Sequence, residues 1–232
     1  MKREKVPVLT LAVAVVTAVV AGLGFVDPAV QTALRRDPTA LQTGAWWRML
    51  SPLLVRTDGW LPLATILVGT VAAGAIVECH AGWWRWLVLY VGSGLVGQAF
   101  GYVWDPDGAG SSVAVLGLFA WIWHRVWRER GVIDQRMRLT AVAGISVLAA
   151  LAGAALFADS SLAAAALAVV VGAIGINAVQ RLPASATGLL LGGGGLLIAV
   201  VLTVLQDNHG PAVLAGLLIA GLMDVRSRSS AG

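Results

Sequence analysis

Eight stretches of apolar sequence, each about as long as a bilayer is thick, make up most of this chain. About 20 apolar residues in a helix cross the hydrocarbon region of a membrane. A backbone inside lipid must satisfy its own hydrogen bonds, which a helix does. We therefore predict an all-α polytopic membrane protein, a bundle of about eight transmembrane helices. The candidate segments are residues 7–26, 60–79, 82–103, 111–127, 139–157, 161–180, 184–206 and 209–225.

The composition argues against a soluble protein and against several kinds of partner. Hydrophobic residues make up 58% of the chain and charged residues 12%, whereas soluble domains have about 25% charged residues. The net charge of +4 arises from residues at the ends of the apolar segments, so no nucleic-acid partner is expected. Cys79 is the single cysteine, which excludes an intrachain disulfide and a cysteine-based metal cluster. No metal or other cofactor is expected.

The basic residues predict how the chain is oriented in the membrane. The first apolar segment is longer than the core of a typical signal peptide, so we expect a retained span. If the N-terminus is cytoplasmic and eight spans alternate, 12 of the 16 basic residues fall inside, in agreement with the positive-inside rule. The C-terminus is then cytoplasmic as well. The four basic residues outside all lie in the long loop 27–59, and they are Arg35, Arg36, Arg48 and Arg56.

Two of the predicted spans begin at the outer face with Ser112 and His209. A hydroxyl and an imidazole that meet can act as nucleophile and general base. Each residue also has a simpler interpretation, because a lone serine at a helix start is usually an N-cap and a lone histidine there is usually solvated. Ser111 competes as the cap of its helix. Asp207 is expected to cap the last helix rather than to serve chemistry, although it is close to His209.

Small residues recur where helices would meet. Ala212, Gly216 and Ala220 follow His209 at spacings of three or four, which places them on one helix face. Such a face lets two helices approach closely in lipid. A run of four glycines, residues 192–195, lies inside the seventh segment. Close packing or a bend would each explain this run, since a glycine costs about 1 kcal/mol in a helix relative to alanine.

The serine and histidine motifs together resemble a known family. A Gly-x-Ser pattern ending at Ser112, a glycine five residues later and a late histidine heading a stripe of small residues resemble the rhomboid intramembrane serine proteases. The resemblance covers residues 45–120 and 186–222. Three further elements carry it, namely Trp47-Arg48, the turn containing Glu78, Gly82 and Arg85, and Tyr90 with Gly92, Gly94 and Gly97.

The resemblance implies a role for each motif residue. Ser112 would be the nucleophile and His209 the general base of a Ser–His dyad that has no acidic third member. Gly110, Gly117 and Gly216 would be structural positions of the motif. The implied protein is an intramembrane serine endopeptidase of a bacterial plasma membrane. It would cleave transmembrane protein substrates near the outer face of the lipid bilayer and would need no cofactor.

One departure from the family pattern keeps a second function open. Rhomboids usually have a histidine and an asparagine at the start of the second span that help to stabilise the oxyanion, and here Leu61 and Thr65 stand there. Thr65 is therefore the candidate oxyanion residue. Each lost donor could reduce the rate by about 10²–10³. The alternative is a catalytically inactive rhomboid-fold protein that binds membrane clients. A small transporter is less well supported, since we expect no ionisable residue in mid-span.

The expected organisation is a single rhomboid-like membrane domain over residues 1–232. Its six-helix core covers residues 6–128 and 184–226. Residues 139–180 form an apolar hairpin that the resemblance does not cover, and we interpret it as a two-helix insertion. Because the insertion adds an even number of spans, the serine and the histidine still begin their helices on the same side of the membrane.

Overall fold

The computed structural model describes residues 6–55, 59–106, 108–129, 133–157 and 161–229, with side chains up to residue 225. Part of the charge pattern that predicts the orientation lies outside the described residues or side chains. The basic residues concerned are Lys2, Arg3, Lys5, Arg56, Arg130, Arg226 and Arg228.

Ten α-helices and two short 3₁₀ turns form the described part of the chain, which contains no strand. The 3₁₀ turns are Trp46–Met49 and Ser51–Leu54. The helices are α1 (Val8–Val26), α2 (Pro28–Leu34), α3 (Pro38–Gln42), α4 (Trp60–Ala81), α5 (Trp83–Trp104), α6 (Ser112–Arg128), α7 (Gln135–Leu156), α8 (Ser161–Arg181), α9 (Ala184–Val204) and α10 (His209–Ser229).

The prediction of an all-α polytopic bundle is confirmed. Each of the eight predicted segments coincides with one of the long helices. By length and composition, α1, α4, α5, α7, α8 and α9 can cross a membrane. The other two are shorter, since α6 has 17 residues and the apolar part of α10 covers His209–Val225.

Helix α6 is the centre of the bundle. Every residue from Ser111 to Trp123 is buried, and α4, α5, α7, α9 and α10 all pack against this helix. The aromatic Trp123 is fully buried, and its indole N–H donates to the carbonyl of Ala141 on α7 at 2.9 Å. Protein therefore surrounds α6 over most of its length, from Ser111 to Trp123.

The small residues of α10 pack against α6 and α5. A Cβ atom placed on Gly216 would lie 2.8 Å from Cβ of Ala120 and 2.9 Å from Cα of Gly117. A Cβ atom placed on Gly97 would lie 2.8 Å from Cβ of Val113 and 3.0 Å from Cβ of Ala212. These three helices therefore approach one another more closely than ordinary side chains would permit, as small residues in membrane helices allow.

Glu78 joins the end of α4 to the start of α1. Its carboxylate accepts hydrogen bonds from the backbone N–H groups of Leu9 and Thr10, at 3.0 and 2.8 Å, and from the Thr10 hydroxyl at 2.7 Å. A carboxylate at a helix N-terminus satisfies N–H groups that have no partner within the helix. Glu78 therefore fixes the start of α1 to the end of α4.

The hairpin formed by α7 and α8 lies at the side of the bundle. Helix α7 packs against α6 and α9, whereas Gly175 and Ala178 are the buried residues of α8. Helix α9 runs without interruption through its four glycines. Gly192 lies against Trp127 and Gly195 against Trp123, so close packing accounts for these two positions.

Candidate active site

The segment that leads into α6 is held by a pair of backbone contacts and a buried polar chain. The N–H groups of Gly110 and Ser111 donate to the carbonyls of Pro52 and Val55, at 3.3 and 3.2 Å. The carbonyl of Gly110 accepts from the amide of Gln98 at 3.4 Å. These bonds fix the position at which the helix starts with Ser112.

Arg36 continues this chain into the loop between α1 and α4. The guanidinium is 1% exposed and donates to the side-chain oxygen of Gln98 at 2.8 Å and to the Asp105 carboxylate at 2.7 Å. Burial lowers the pKa of Arg36 below its ordinary value, and the nearby charge of Asp105 opposes that shift. In the sequence Arg36 lies in the loop 27–59, and no local pattern indicates that it is buried beside Gln98, 62 positions away.

A tight turn between α9 and α10 places His209. Gln206 has φ of 60°, and it is the non-glycine residue with positive φ among the described residues. The N–H of Asp207 donates to the carbonyl of Leu202 at 2.9 Å. Helix α10 then starts at His209, whose own N–H donates to the Asp207 carboxylate at 2.8 Å.

The structure brings Ser112 and His209 together. The Oγ atom of Ser112 lies 2.8 Å from Nε2 of His209. Ser112 is 7% exposed and the His209 side chain is 14% exposed. A Cβ atom on Gly110 would lie 3.1 Å from the Ser112 oxygen, so the glycine leaves space beside this hydroxyl. This geometry is that of a nucleophile and its general base.

Asp207 adds a carboxylate on the far side of the imidazole. Its Oδ1 atom lies 2.6 Å from Nδ1 of His209. Burial alone would raise the pKa of Asp207, but the charge of His209 and the hydrogen bonds from its ring and backbone outweigh that effect and lower the pKa. The spacing Asp-x-His in a turn was the available sequence signal for this contact, although it equally suits a helix cap.

Thr65 lies elsewhere in the structure. Its hydroxyl donates to the carbonyl of Leu61, one turn earlier in α4, at 2.9 Å, and its side chain is exposed. The oxyanion role of Thr65 therefore stays a prediction that would need a change of hydrogen-bond partner. Ser111 occupies the N-cap position of α6, but its hydroxyl makes no capping hydrogen bond and is buried without a partner among the described residues.

The other histidines lie away from this site. His124 on α6 pairs with Asp224 on α10, with Nε2 and Oδ2 3.0 Å apart. Its position is twelve residues into α6, more than three turns from Ser112. The Nδ1–H group of His80 donates to the carbonyl of Ile76 on its own helix, at 2.8 Å. Among the described residues, no group of three His, Cys, Asp or Glu side chains could hold a metal ion.

Comparison with known proteins identifies the family. Residues 43–176 match the Rhomboid domain. The chain belongs to the rhomboid family. The match includes Ser112 and most of the hairpin formed by α7 and α8, and it ends before His209. The interpretation of residues 139–180 as an insertion stays a prediction.

Two curated relatives are rhomboids of Bacillus subtilis. The putative rhomboid protease YdcA is 31% identical over 121 residues, which cover 49% of this chain and 59% of YdcA. The rhomboid protease GluP is 30% identical over 83 residues, which cover 35% of this chain and 16% of GluP. The chain thus spans less than two thirds of the length of either relative. As a rhomboid with several apolar helices, it is a multi-pass membrane protein.

Proposed function

We propose that this rhomboid is an intramembrane serine endopeptidase in which Ser112 is the nucleophile and His209 the general base. The observation that carries the proposal is the distance of 2.8 Å between Ser112 Oγ and His209 Nε2. Membership of the rhomboid family and the similarity to two proteins named rhomboid proteases support it. The substrates would be transmembrane proteins in the same bilayer.

The proposed reaction proceeds by acyl transfer. Ser112 Oγ attacks the carbonyl carbon of the scissile peptide bond while Nε2 of His209 accepts the hydroxyl proton. The imidazolium then gives this proton to the leaving amine, and the acyl group remains on the serine. Attack by water, with His209 again as the base, releases the second product. No metal or cofactor takes part in these steps.

The start of α6 supplies the proposed oxyanion donors. The first N–H groups of an α-helix have no intrahelical acceptor, and the positive end of the helix dipole favours an anion there. Ser112 is the first residue of α6, so the charge that develops on the substrate oxygen would form beside these groups. Thr65 could contribute only if its hydroxyl exchanged the Leu61 carbonyl for the oxyanion.

The proposed orientation places the site near the outer face of a bacterial plasma membrane, with both termini in the cytoplasm. The distribution of basic residues supports this orientation. Since Ser112 and His209 each head a helix, both side chains lie near the end of the bundle. Water would have a short path to the acyl group at such a depth.

Labelling with a fluorophosphonate tests the proposal directly. The purified protein in detergent should form a covalent adduct at Ser112, with loss of fluoride, because only an activated serine reacts readily. Ser112→Ala should abolish the label and His209→Ala should reduce it strongly, whereas Ser111→Ala should retain it. A folded wild type that neither labels nor cleaves a reconstituted transmembrane substrate would instead favour the inactive rhomboid-fold protein that binds membrane clients.

A further inference from the structure

We propose that Asp207 is a positioning residue for the pair formed by Ser112 and His209, and that its carboxylate fixes the imidazole in the tautomer that can accept the serine proton. This inference rests on the proposed function and deepens it. The rhomboid resemblance implies a dyad of two residues, whereas this chain places a third side chain in line with them.

The hydrogen bonds of the ring determine its tautomer. An ionised carboxylate only accepts hydrogen bonds, so the contact of 2.6 Å between Asp207 Oδ1 and His209 Nδ1 requires the proton on Nδ1. In the neutral ring Nε2 then has no proton and can accept one. Ser112 Oγ lies at that nitrogen, 2.8 Å away. The lowered pKa of Asp207 keeps the carboxylate ionised at neutral pH.

The turn before α10 is shaped to bring the carboxylate to the ring. Gln206 adopts the left-handed region with φ of 60°, which is uncommon for a residue with a side chain. Such conformations persist where the surrounding contacts hold them, and they are frequent at functional sites. The next residue, Asp207, is anchored by its N–H to the Leu202 carbonyl at 2.9 Å.

A simpler role for Asp207 would be that of a helix cap alone. Its Oδ1 atom does accept the backbone N–H of His209 at 2.8 Å, which is what a capping side chain does. The contact with the ring is not needed for capping. Asparagine caps helices as well as aspartate does, so Asp207→Asn keeps the cap. The side chain beside Nδ1 is then no longer a group that can only accept a hydrogen bond.

Two further polar side chains lie near this turn, and the charged one already has hydrogen-bond partners of its own. Arg36 from the loop and Asn208 from the turn both approach Gly101 on α5, since a Cβ atom there would lie 2.7 and 2.9 Å from their side-chain nitrogens. The Arg36 guanidinium is bound to Gln98 and to Asp105. The carboxylate of Asp207 is the one that contacts His209.

The pair formed by His124 and Asp224 provides a matched control. It joins the same two helices, α6 and α10, through a His–Asp contact of 3.0 Å, but it lies more than three helical turns from Ser112. Asp224→Asn therefore removes an equivalent carboxylate without touching the proposed site.

The first experiment detects the protons of the ring directly, by ¹⁵N NMR of the protein in detergent with ¹⁵N-labelled histidine. The chain has 3 histidines, so His80→Asn and His124→Asn assign the signals. We expect His209 to carry its proton on Nδ1 in the wild type and in Asp224→Asn, and to lose that single tautomer in Asp207→Asn. An unchanged His209 spectrum in Asp207→Asn would overturn the inference whether or not the protein is a protease.

The second experiment separates positioning from stability through kinetics on a reconstituted transmembrane substrate. We expect Asp207→Asn to lower kcat by about 10²-fold or more, less than the roughly 10⁴-fold typical of a buried triad because Asp207 is partly exposed. KM should change little, the variant should remain folded at the assay temperature, and Asp224→Asn should retain kcat. An active wild type with an equally active Asp207→Asn variant would leave the proposed protease intact and refute the role of Asp207.

Discussion

Ser112 Oγ and His209 Nε2 lie 2.8 Å apart although 97 positions separate the two residues in the sequence. Each residue begins its helix, and α6 and α10 pack together along their lengths. The distance between the two side chains therefore depends on how closely these helices approach. Changes at their interface should act on the site without touching either side chain.

Gly216→Ala should weaken both stability and labelling. The new Cβ atom would lie 2.8 Å from Ala120 and 2.9 Å from Gly117, so α10 would have to move away from α6. Overpacking of this kind costs about 1–3 kcal/mol, which exceeds the gain of about 1 kcal/mol from replacing a helical glycine. We expect a lower melting temperature, and fluorophosphonate labelling that is slower by about tenfold or more, because small misplacements reduce rates steeply.

Gly193→Ala is the matched control for this substitution. A Cβ atom on Gly193 meets nothing within 4 Å, so only the gain in helix propensity should remain. The melting temperature should stay the same or rise, and labelling should be unchanged. Equal losses in the two variants would show that glycine matters for helix flexibility and not for the approach of α6 and α10.

Ser111→Ala should leave the protein as stable as the wild type or more so. The Ser111 hydroxyl is buried and has no partner among the described residues, and an unsatisfied buried polar group costs about 1–3 kcal/mol. We expect a rise in the free energy of unfolding of up to about 1 kcal/mol, measured by denaturation in mixed micelles. A marked loss of turnover would instead place this hydroxyl in the reaction.

Arg36→Leu should destabilise the segment before Ser112. It would leave the buried side-chain oxygen of Gln98 without its donor, at a cost of about 1–3 kcal/mol. Labelling should fall as well, since Gln98 also holds the Gly110 carbonyl. Asp105→Asn should cost less, because the Asp105 side chain is 65% exposed and an asparagine oxygen still accepts from the guanidinium. Equal losses of stability in Arg36→Leu and Asp105→Asn would show that the ion pair with Asp105 matters more than the hydrogen bond to Gln98.

The stabilising effect of Asp207 should disappear in acid. Its folded-state pKa lies below the ordinary value of 3.8, so it stabilises the fold above that value and ceases to do so as the pH falls through the folded-state pKa. The difference in melting temperature between the wild type and Asp207→Asn should be constant from about pH 7 to about pH 5 and shrink below about pH 4. A difference that persists in strong acid would show that its origin is not the charge.

The long helices could be predicted because lipid imposes one simple demand on the sequence, a run of apolar residues of fixed length. The short helices α2 and α3 were not predicted, although each starts with an aspartate cap followed by a proline, at Asp27-Pro28 and Asp37-Pro38. These are local signals for a helix start.

The candidate site was predictable in part. Ser112 and His209 followed from a motif and from the parity of the spans. The orientation of Thr65 could not be predicted, because the rotation of α4 about its axis decides whether this side chain faces the bundle or the lipid. The chain from Arg36 through Gln98 to Gly110 links residues far apart in sequence, and no local pattern encodes such a contact.

Helices α6 and α10 are tied at both of their ends. The pair of Ser112 and His209 joins them where they begin, and the pair of His124 and Asp224 joins them further along. Sliding or tilting one helix against the other would break at least one of these polar contacts. These two contacts thus couple the helices, and under the proposed function the opening through which a peptide reaches Ser112 would form between the elements that surround α6 and α10.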